Sequence, residues 1–481
     1  MSKMRLKHLI VIIPGITGSV LRKDQKDVWA FSSASAWNAI AHRKGFLDDL
    51  KLKALDDPTL DDLGDGITAS ALMQDATIVP GLIKMFSGYT DLVKMIRGRF
   101  EIVGRGLESS EPTNFFEFPY DWRRDNRASA RKLEKVVQQR LHAWREYTGD
   151  RNARVIFLVH SMGGLVARHY LEVLEGWRDC LALVSFGTPY RGSLKALDFL
   201  AKGHKAGPID LTECLRSYTS VYQLLPTYPV ISINGSCLSV FDIEIPNVDA
   251  KRAAEAADFH RKIADKVEEH TNTADYLKGG YKLLPFVGTR QPTLQSAWLA
   301  ADALSLSEGL PPGVHELLDA GDGTVPRFSA VPEELGDEFR ETFIPEKHGA
   351  LQASTIILND LLGRLEQMQV PRMKAIRGPE LRSEGAAISL WVEDLYSMSH
   401  PIEFRARLLN TAAGAGSIVG LLSSAQADSP SALPVEFHLE HDDWVARLSG
   451  LPTGVYRLQV QTDQVHSGGP PPVHDLFEVI A

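Results

Sequence analysis

Residues 155–164, Val-Ile-Phe-Leu-Val-His-Ser-Met-Gly-Gly, constrain the fold more than any other stretch of the chain. Five consecutive apolar residues predict a strand buried on both faces, as in a parallel sheet covered by helices. The run leads directly into Ser161, and Leu165, Val166, Tyr170, Val173 and Leu174 then recur at helical spacing. A sharp strand-to-helix turn of this kind exposes a serine Oγ at the carboxyl edge of the sheet and aims a helix N-terminus at a developing oxyanion. Gly163 and Gly164 fit the turn, whereas Val159 departs from the common G-x-S-x-G pattern by placing a branched side chain where the first Gly stands. The plainer alternative is a Ser that caps a helix after a buried strand. The rest of the constellation has to decide between the two.

A nucleophile of this kind needs an acid and then a histidine further along the chain. Asp322 lies in Gly321-Asp322-Gly323-Thr324-Val325-Pro326, a turn whose backbone N–H groups can hold a carboxylate ionised. Asp319 is a competitor, and a solvated turn is the bland reading. His348 follows the apolar stretch Phe343-Ile344-Pro345 and precedes a helical pattern (Leu351, Ile356, Ile357, Leu361, Leu362), so it falls on a loop between the last strand and a helix. His8, His160, His169 and His315 lack that combination of order and context. The oxyanion donors expected are the amide of Met162 and an amide after an early strand. Leu9–Ile13 is such a strand, broken at Pro14-Gly15-Ile16-Thr17-Gly18-Ser19, which makes the Ile16 amide the second donor. The same stretch with Lys3, Arg5 and Lys7 before it mimics a secretion signal, but the apolar run is short and no small-residue cleavage site follows.

The segments around Pro14–Ser19, Phe118-Pro119-Tyr120-Asp121-Trp122-Arg123, Val159–Gly164, Gly187-Thr188-Pro189-Tyr190-Arg191-Gly192-Ser193, Gly321–Pro326 and His348-Gly349 resemble, in order, the lecithin:cholesterol acyltransferase family, which includes phospholipid:diacylglycerol acyltransferase. The resemblance covers roughly residues 8 to 365. It implies an α/β-hydrolase that takes a fatty acyl group from a phospholipid and passes it to an alcohol or to water. It further implies Ser161 as nucleophile, Asp322 and His348 as its partners, and the Ile16 and Met162 amides as the oxyanion hole. No cofactor and no metal is expected. No cysteine pair is placed like the disulfides of the secreted animal enzymes, which sets aside a plasma lipoprotein role.

Tyr120, Asp121, Trp122 and Arg123 follow the strand-like Asn114–Phe118 and so fall at a carboxyl edge near the site. They and Thr188 are candidates for pocket lining or site support; for Asp121 and Arg123 a mutual ion pair that holds the loop is the favoured reading. A net charge of −9 implies no broad basic surface for nucleic acid, and no apolar run is long enough to span a bilayer. The basic stretch Arg123, Arg124, Arg127, Arg131, Lys132 reads as the solvated face of a helix continuing through Leu133, Val136, Val137 and Leu141. Three cysteines, Cys180, Cys214 and Cys237, match no zinc spacing and suit a reducing cytosol, so a cytoplasmic enzyme with transient membrane-surface contact is expected.

At 481 residues the chain is too long for one ordinary domain. Core strands are expected at 8–13, 115–119, 154–159, 181–186, about 282–288 and 339–344, with helices between several of them, giving a mostly parallel sheet. The expected organisation is an α/β-hydrolase catalytic domain over 1–370, a linker at 371–385 and a second domain over 386–481. Two insertions interrupt the first. One, at 20–110, carries Trp29, Phe31, Trp37 and the apolar run Ile78–Phe86, which either touch a lipid aggregate or pack on the sheet. The other, at 193–280, occupies the cap position, with a charged helix over the site at 249–270. Runs at Ile388–Val392, Ile402–Leu408, Ser417–Leu422, Val435–Glu440, Trp444–Leu448, Val455–Thr462 and Asp475–Ile480 predict seven short strands, an all-β immunoglobulin-like sandwich. It reads as a stabilising accessory domain, with an unknown partner as the alternative. The expected substrate is a lipid ester or another ester; a carboxylesterase acting on small soluble esters and a catalytically idle binding module are the competing readings.

Overall fold

The computed structural model describes residues 3–30, 45–53, 56–74, 77–79, 83–86, 88–104, 107, 111–206, 209–300, 303–336, 342–369, 386–409, 417–425, 432–463 and 470–480. The expected linker, Phe31, Trp37 and part of the run Ile78–Phe86 lie outside these residues. The central sheet is built from β1 (Leu9–Ile13), β2 (Phe115–Glu117), β3 (Val155–His160), β4 (Cys180–Phe186), β5 (Lys282–Gly288) and β6 (Phe343–Ile344). Their order is β6-β5-β4-β3-β1-β2, and every neighbouring pair is parallel. All residues of β1 and β3 are buried, so both faces of the central strands are covered, which is what a continuous apolar run without alternation requires. The topology is consistent with an α/β-hydrolase. The outer strands are shorter than expected, β2 stopping at Glu117 and β6 holding two described residues. Pro285 is accommodated within β5, where it pairs with Ser185.

Helix α1 (Asn126–Thr148) begins where the Asp125 side chain accepts from the Arg127 N–H, and it ends at Gly149 in the left-handed conformation. It buries Leu133, Val137, Leu141 and Trp144 and packs against α2 (Gly163–Arg168), which continues into a π-helical turn at His169–Val173. Helix α3 (Leu194–Lys202) starts on a Ser193 cap. Helix α4 (Ala250–Thr271) is the charged helix expected in the second insertion. It packs on α2 and the π turn, where Phe259 and Ile263 meet Leu165 and His270 sits between Glu172 (Nδ1 to Oε2, 2.7 Å) and Glu175 (Nε2 to Oε1, 3.0 Å), and on residues 217–223, where Arg252 donates to the Ser217 carbonyl (2.8 Å) and His260 Nε2 lies 2.8 Å from the Gln223 carbonyl. The hairpin Ile231–Ile233/Ser236–Leu238 is completed by the strands Ser296–Ala300 and Ala303–Ser307, so this excursion extends past residue 280. Helix α5 (Thr355–Gln369) follows the 3₁₀ turn His348–Ala353.

The first insertion forms a three-stranded antiparallel sheet, Lys26–Trp29, Ser19–Lys23 and Ile67–Leu72. Trp29 is buried at 1% exposure, donates from Nε1 to the Thr17 carbonyl (3.0 Å) and meets the Trp122 ring edge-on at 4.9 Å. Of the two readings of Trp29, the packed one is what the structure shows: an edge-on aromatic contact and an indole hydrogen bond hold it in the core.

Beyond residue 386 the described strands are β7 (Ala387–Trp391), β8 (Leu395–Ser397), β9 (Ile402–Leu409), β10 (Ile418–Ser424), β11 (Leu433–Glu436), β12 (His438–Glu440), β13 (Asp443–Leu448), β14 (Gly454–Thr462) and β15 (Val473–Ile480). They form two sheets, β7-β9-β13-β12 and β8-β15-β14-β10-β11, antiparallel except for β8 on β15. Both contribute to one core that includes Phe404, Phe437, Leu458 and Phe477. Seven strands were expected. The run Val435–Glu440 splits at Phe437, which turns into the core, and the short β8 lacks an alternating pattern.

The pairing of Ile13 with Val159 brings the loop after β1 against the turn after β3. A Cβ on Gly163 would lie 2.8 Å from the Ile13 carbonyl oxygen and closer still to that of Pro14. Helix propensity favours Ala over Gly by about 1 kcal/mol, but here the backbone contact leaves no room. Gly163→Ala is therefore expected to destabilise the protein by about 1–3 kcal/mol, read as a lowered urea midpoint.

Candidate active site

Ser161 is one of the few non-glycine residues with positive φ, at 51°. Its N–H donates to Phe186 of β4 (3.0 Å), and its carbonyl accepts from Gly164 (3.0 Å), so the turn is tied to the sheet on one side and to the helix on the other. Such a conformation costs of order 1–3 kcal/mol and persists only where surroundings over-determine it. The turn leaves Oγ 2.9 Å from His348 Nε2, and His348 Nδ1 lies 2.7 Å from Asp322 Oδ2. Since a carboxylate only accepts, Nδ1 carries the proton donated to Asp322, leaving Nε2 to accept the Ser161 hydroxyl.

Asp322 is 1% exposed, and its other oxygen, Oδ1, accepts from the backbone of Thr324 (2.9 Å) and Val325 (2.7 Å). Its carbonyl also accepts from the His348 N–H (2.8 Å). Acid and base are thus coupled by backbone as well as side chain. Asp319 instead accepts from Gln295 (2.7 Å) and from the Ala320 N–H (2.7 Å). Gly187, at φ 59°, lies beneath the pair: a Cβ there would come within 2.8 Å of Asp322 Oδ2 and 3.0 Å of His348 Nδ1.

Ile16 lies in the turn closed by the Gly18 N–H on Gly15 (3.0 Å), and the backbone of Gly15 borders Ser161 so closely that a Cβ there would be 2.8 Å from the Ser161 Cβ. Met162 is buried at the start of α2. Among the described residues neither amide donates to a protein acceptor. Met162 follows Ser161 directly, and Ile16 follows Gly15, whose backbone borders Ser161.

Tyr120, Asp121, Trp122 and Arg123 are brought to the wall of this loop rather than to Ser161. Tyr120 donates to the Pro14 carbonyl (3.0 Å), while its N–H donates to Ser19 Oγ (3.1 Å) and Trp122 Nε1 to the Ser19 carbonyl (3.1 Å). Arg123 is fully buried and pairs with Asp121 (2.6 Å) and Asp65 (2.9 Å). Thr188 packs on α2, where a Cβ on Gly164 would lie 2.7 Å from its own Cβ.

Two further side chains complete the site's support: Tyr89, which no motif marks, and His160, set aside above as the base. Tyr89 Oη accepts from the Gly15 N–H (2.9 Å) and lies 3.3 Å from His160 Nδ1, and His160 Nε2 lies 3.1 Å from the His348 carbonyl. The carbonyl only accepts, so Nε2 of a neutral His160 donates and Nδ1 receives the Tyr89 hydroxyl proton. This links the Pro14–Gly15 loop to the His348 loop beneath Ser161. His160 could have been suspected from its adjacency to Ser161; Tyr89 stands in no motif. Among the described residues no cluster of three or more His, Cys, Asp or Glu side chains could hold a metal ion, and no helix is long and apolar enough to cross a membrane. The three cysteines are free. A cleft of about 630 Å³ opens between α2, the Tyr190–Arg191 loop and α4, lined by Leu165 and Arg168 but not by Ser161.

Over residues 101–276 the chain matches the family model described as lecithin:cholesterol acyltransferase, the family its motifs resemble. The matched span contains Tyr120–Arg123, Ser161, Met162 and Thr188, and ends before Asp322 and His348. No curated protein matches the chain.

Removing the Asp121 carboxylate leaves Arg123 buried with only part of its compensation, so Asp121→Ala is expected to cost about 3 kcal/mol. Calorimetry checks this, and the rate at which Ser161 reacts with a fluorophosphonate well below the melting point is expected to stay at the wild-type value.

Burial, then the adjacent His348, lowers the pKa of His160 from 6.5 to about 3, and burial lowers those of His8 and His169 to about 4. Folded, these rings stay neutral where the unfolded chain protonates them, so stability is complete above pH 6.5 and falls as pH drops through 6.5 toward 4, for His160 toward 3. Urea midpoints between pH 7 and 5 are expected to decline, and His160→Gln, which keeps a donor for the His348 carbonyl, to decline less.

Proposed function

We propose that the protein is a serine-dependent lipid acyl hydrolase or O-acyltransferase that cleaves fatty acyl esters of phospholipids through an acyl-enzyme on Ser161. One observation carries the reading: Ser161 Oγ, His348 and Asp322 form an unbroken run of hydrogen bonds of 2.9 and 2.7 Å at the carboxyl edge of a parallel sheet. The family match over residues 101–276 supports acyl transfer, and the family's own name supplies the lipid ester as substrate class.

In this reading His348 Nε2 takes the Ser161 proton as Oγ attacks the ester carbonyl. Asp322 fixes the ring tautomer and stabilises the imidazolium. The Ile16 and Met162 amides receive the oxyanion, a contribution of about 3 kcal/mol per donor at comparable sites. Collapse of the tetrahedral intermediate expels the alcohol, which takes the proton from His348. Water or an acceptor alcohol then gives its proton back to His348 as it attacks the acyl-enzyme. The excursion at 193–280 serves as a cap, and the two sheets after residue 386 form an immunoglobulin-like sandwich. The enzyme works in the cytoplasm and touches membrane surfaces only transiently.

The test combines fluorophosphonate labelling with product analysis by mass spectrometry after incubation with phospholipid vesicles containing diacylglycerol. Wild type is expected to label once, at Ser161, and to release fatty acid or form a new ester; Ser161→Ala is expected to label not at all and to lose turnover by a factor of about 10⁴ or more. Folded wild type that does not label overturns the assignment, and turnover confined to short soluble esters replaces the lipid substrate with a small one.

A further inference from the structure

The two residues before His348 are held by the C-terminal sheets. Lys347 Nζ pairs with Asp475 of β15, their side chains being 12% and 3% exposed, and Glu346, 4% exposed, faces His474 Nδ1 at 3.8 Å. Two successive residues of the histidine loop therefore meet two successive residues of the last strand. Glu346 Oε1 also accepts the Lys347 N–H (3.0 Å), which fixes the loop locally. Residues Asp475–Val479 are all buried, and a strand with no exposed alternate position is covered on both faces.

A second tether reaches the acid. Gln291 exchanges backbone hydrogen bonds with Gly321 (2.9 and 3.4 Å), next to Asp322, and its fully buried side chain donates from Nε2 to the Ile388 carbonyl of β7 (3.3 Å). A third is indirect: β15 lies against the hairpin Thr77–Val79/Ile83–Phe86, whose second strand packs on the 3₁₀ turn that begins at His348. The first two end on residues adjacent to His348 and Asp322, and the third on the turn that His348 opens.

We propose that the C-terminal β module is a working part of the active site: by holding Lys347 and Gln291 it sets the positions of His348 and Asp322, and its displacement disarms Ser161. This rests on the reading of Ser161, His348 and Asp322 as the catalytic set. Lys347, Asp475 and Gln291 are positioning residues and touch no substrate. A largely buried lysine deprived of its carboxylate loses what holds it there and moves toward water. Its backbone is bonded to that of His348, and misplacement of a base by about 1 Å is enough to cost on the order of 100-fold in rate.

The full-length chain is assayed on a short soluble ester and by the rate of fluorophosphonate labelling. Asp475→Ala is expected to lower kcat and the labelling rate in parallel, by about 10- to 100-fold, with KM changed by less than about twofold. Gln291→Met, which keeps the backbone bridge and loses only the bond to Ile388, is expected to give a smaller loss in the same two quantities. Lys347→Met combined with Asp475→Leu replaces the buried pair with apolar groups and is expected to recover most of the loss. Should Asp475→Ala fail to fold, the Gln291 variant and the apolar pair decide. Variants that melt lower yet keep kcat and labelling rate within about twofold of wild type overturn the proposal. Wild type that does not label at Ser161 overturns the catalytic assignment instead.

Discussion

The site depends on one close approach, that of the Pro14–Gly15 backbone to the turn from His160 to Gly164. The parallel register that pairs Ile13 with Val159 places the two segments side by side, and glycine on each side lets their backbones touch. The contact holds the left-handed Ser161 against the loop that carries Ile16. Val159, where a glycine is common, meets no obstacle: it lies within β3, fully buried, paired with Ile13 and Ser185. Room at the elbow comes from Gly15, Gly163 and Gly164 instead.

Around this contact, support is layered. The Pro14–Gly15 loop is held from one side by Tyr120 on the Pro14 carbonyl and from the other by Tyr89 on the Gly15 amide. Through His160 the Tyr89 link reaches the backbone of His348, so the Pro14–Gly15 loop and the His348 loop share one buried network. A network with every donor and acceptor matched admits a single arrangement, which is how hydrogen bonds of modest individual strength fix a geometry. The Tyr120-Asp121-Trp122-Arg123 motif works in the same way. Its side chains clamp Pro14, Ser19 and the first insertion, so a motif that looks like recognition chemistry acts as scaffold.

Much of this was legible in the sequence because the signals are local. Leu9–Ile13 and Val155–Val159 are too uniformly apolar to be half-exposed strands, and glycines next to Ser161 and Asp322 mark turns that a bulkier chain would not make. The three side chains that hydrogen bond in the structure, Ser161, His348 and Asp322, are those singled out by chain order and loop context. The ion pair favoured for Asp121 and Arg123 is present, extended to Asp65. Strand ends were less legible: β2 stops short at Glu117, and Phe437 divides what reads as one strand into two.

By itself the sequence determined where strands, turns and reactive side chains fall, since periodicity and glycine placement act over a few residues. Only the tertiary structure decided which distant groups meet. Trp29 reads equally well as a membrane anchor or a core residue until Trp122 and the Thr17 carbonyl are seen to enclose it, and nothing local in the charged helix α4 says that it seats on Leu165 and Glu172. Tyr89 and the Lys347–Asp475 pair carry no local signal at all. Their roles arise from partners 71 and 128 residues away, brought together by packing that no short window of sequence contains.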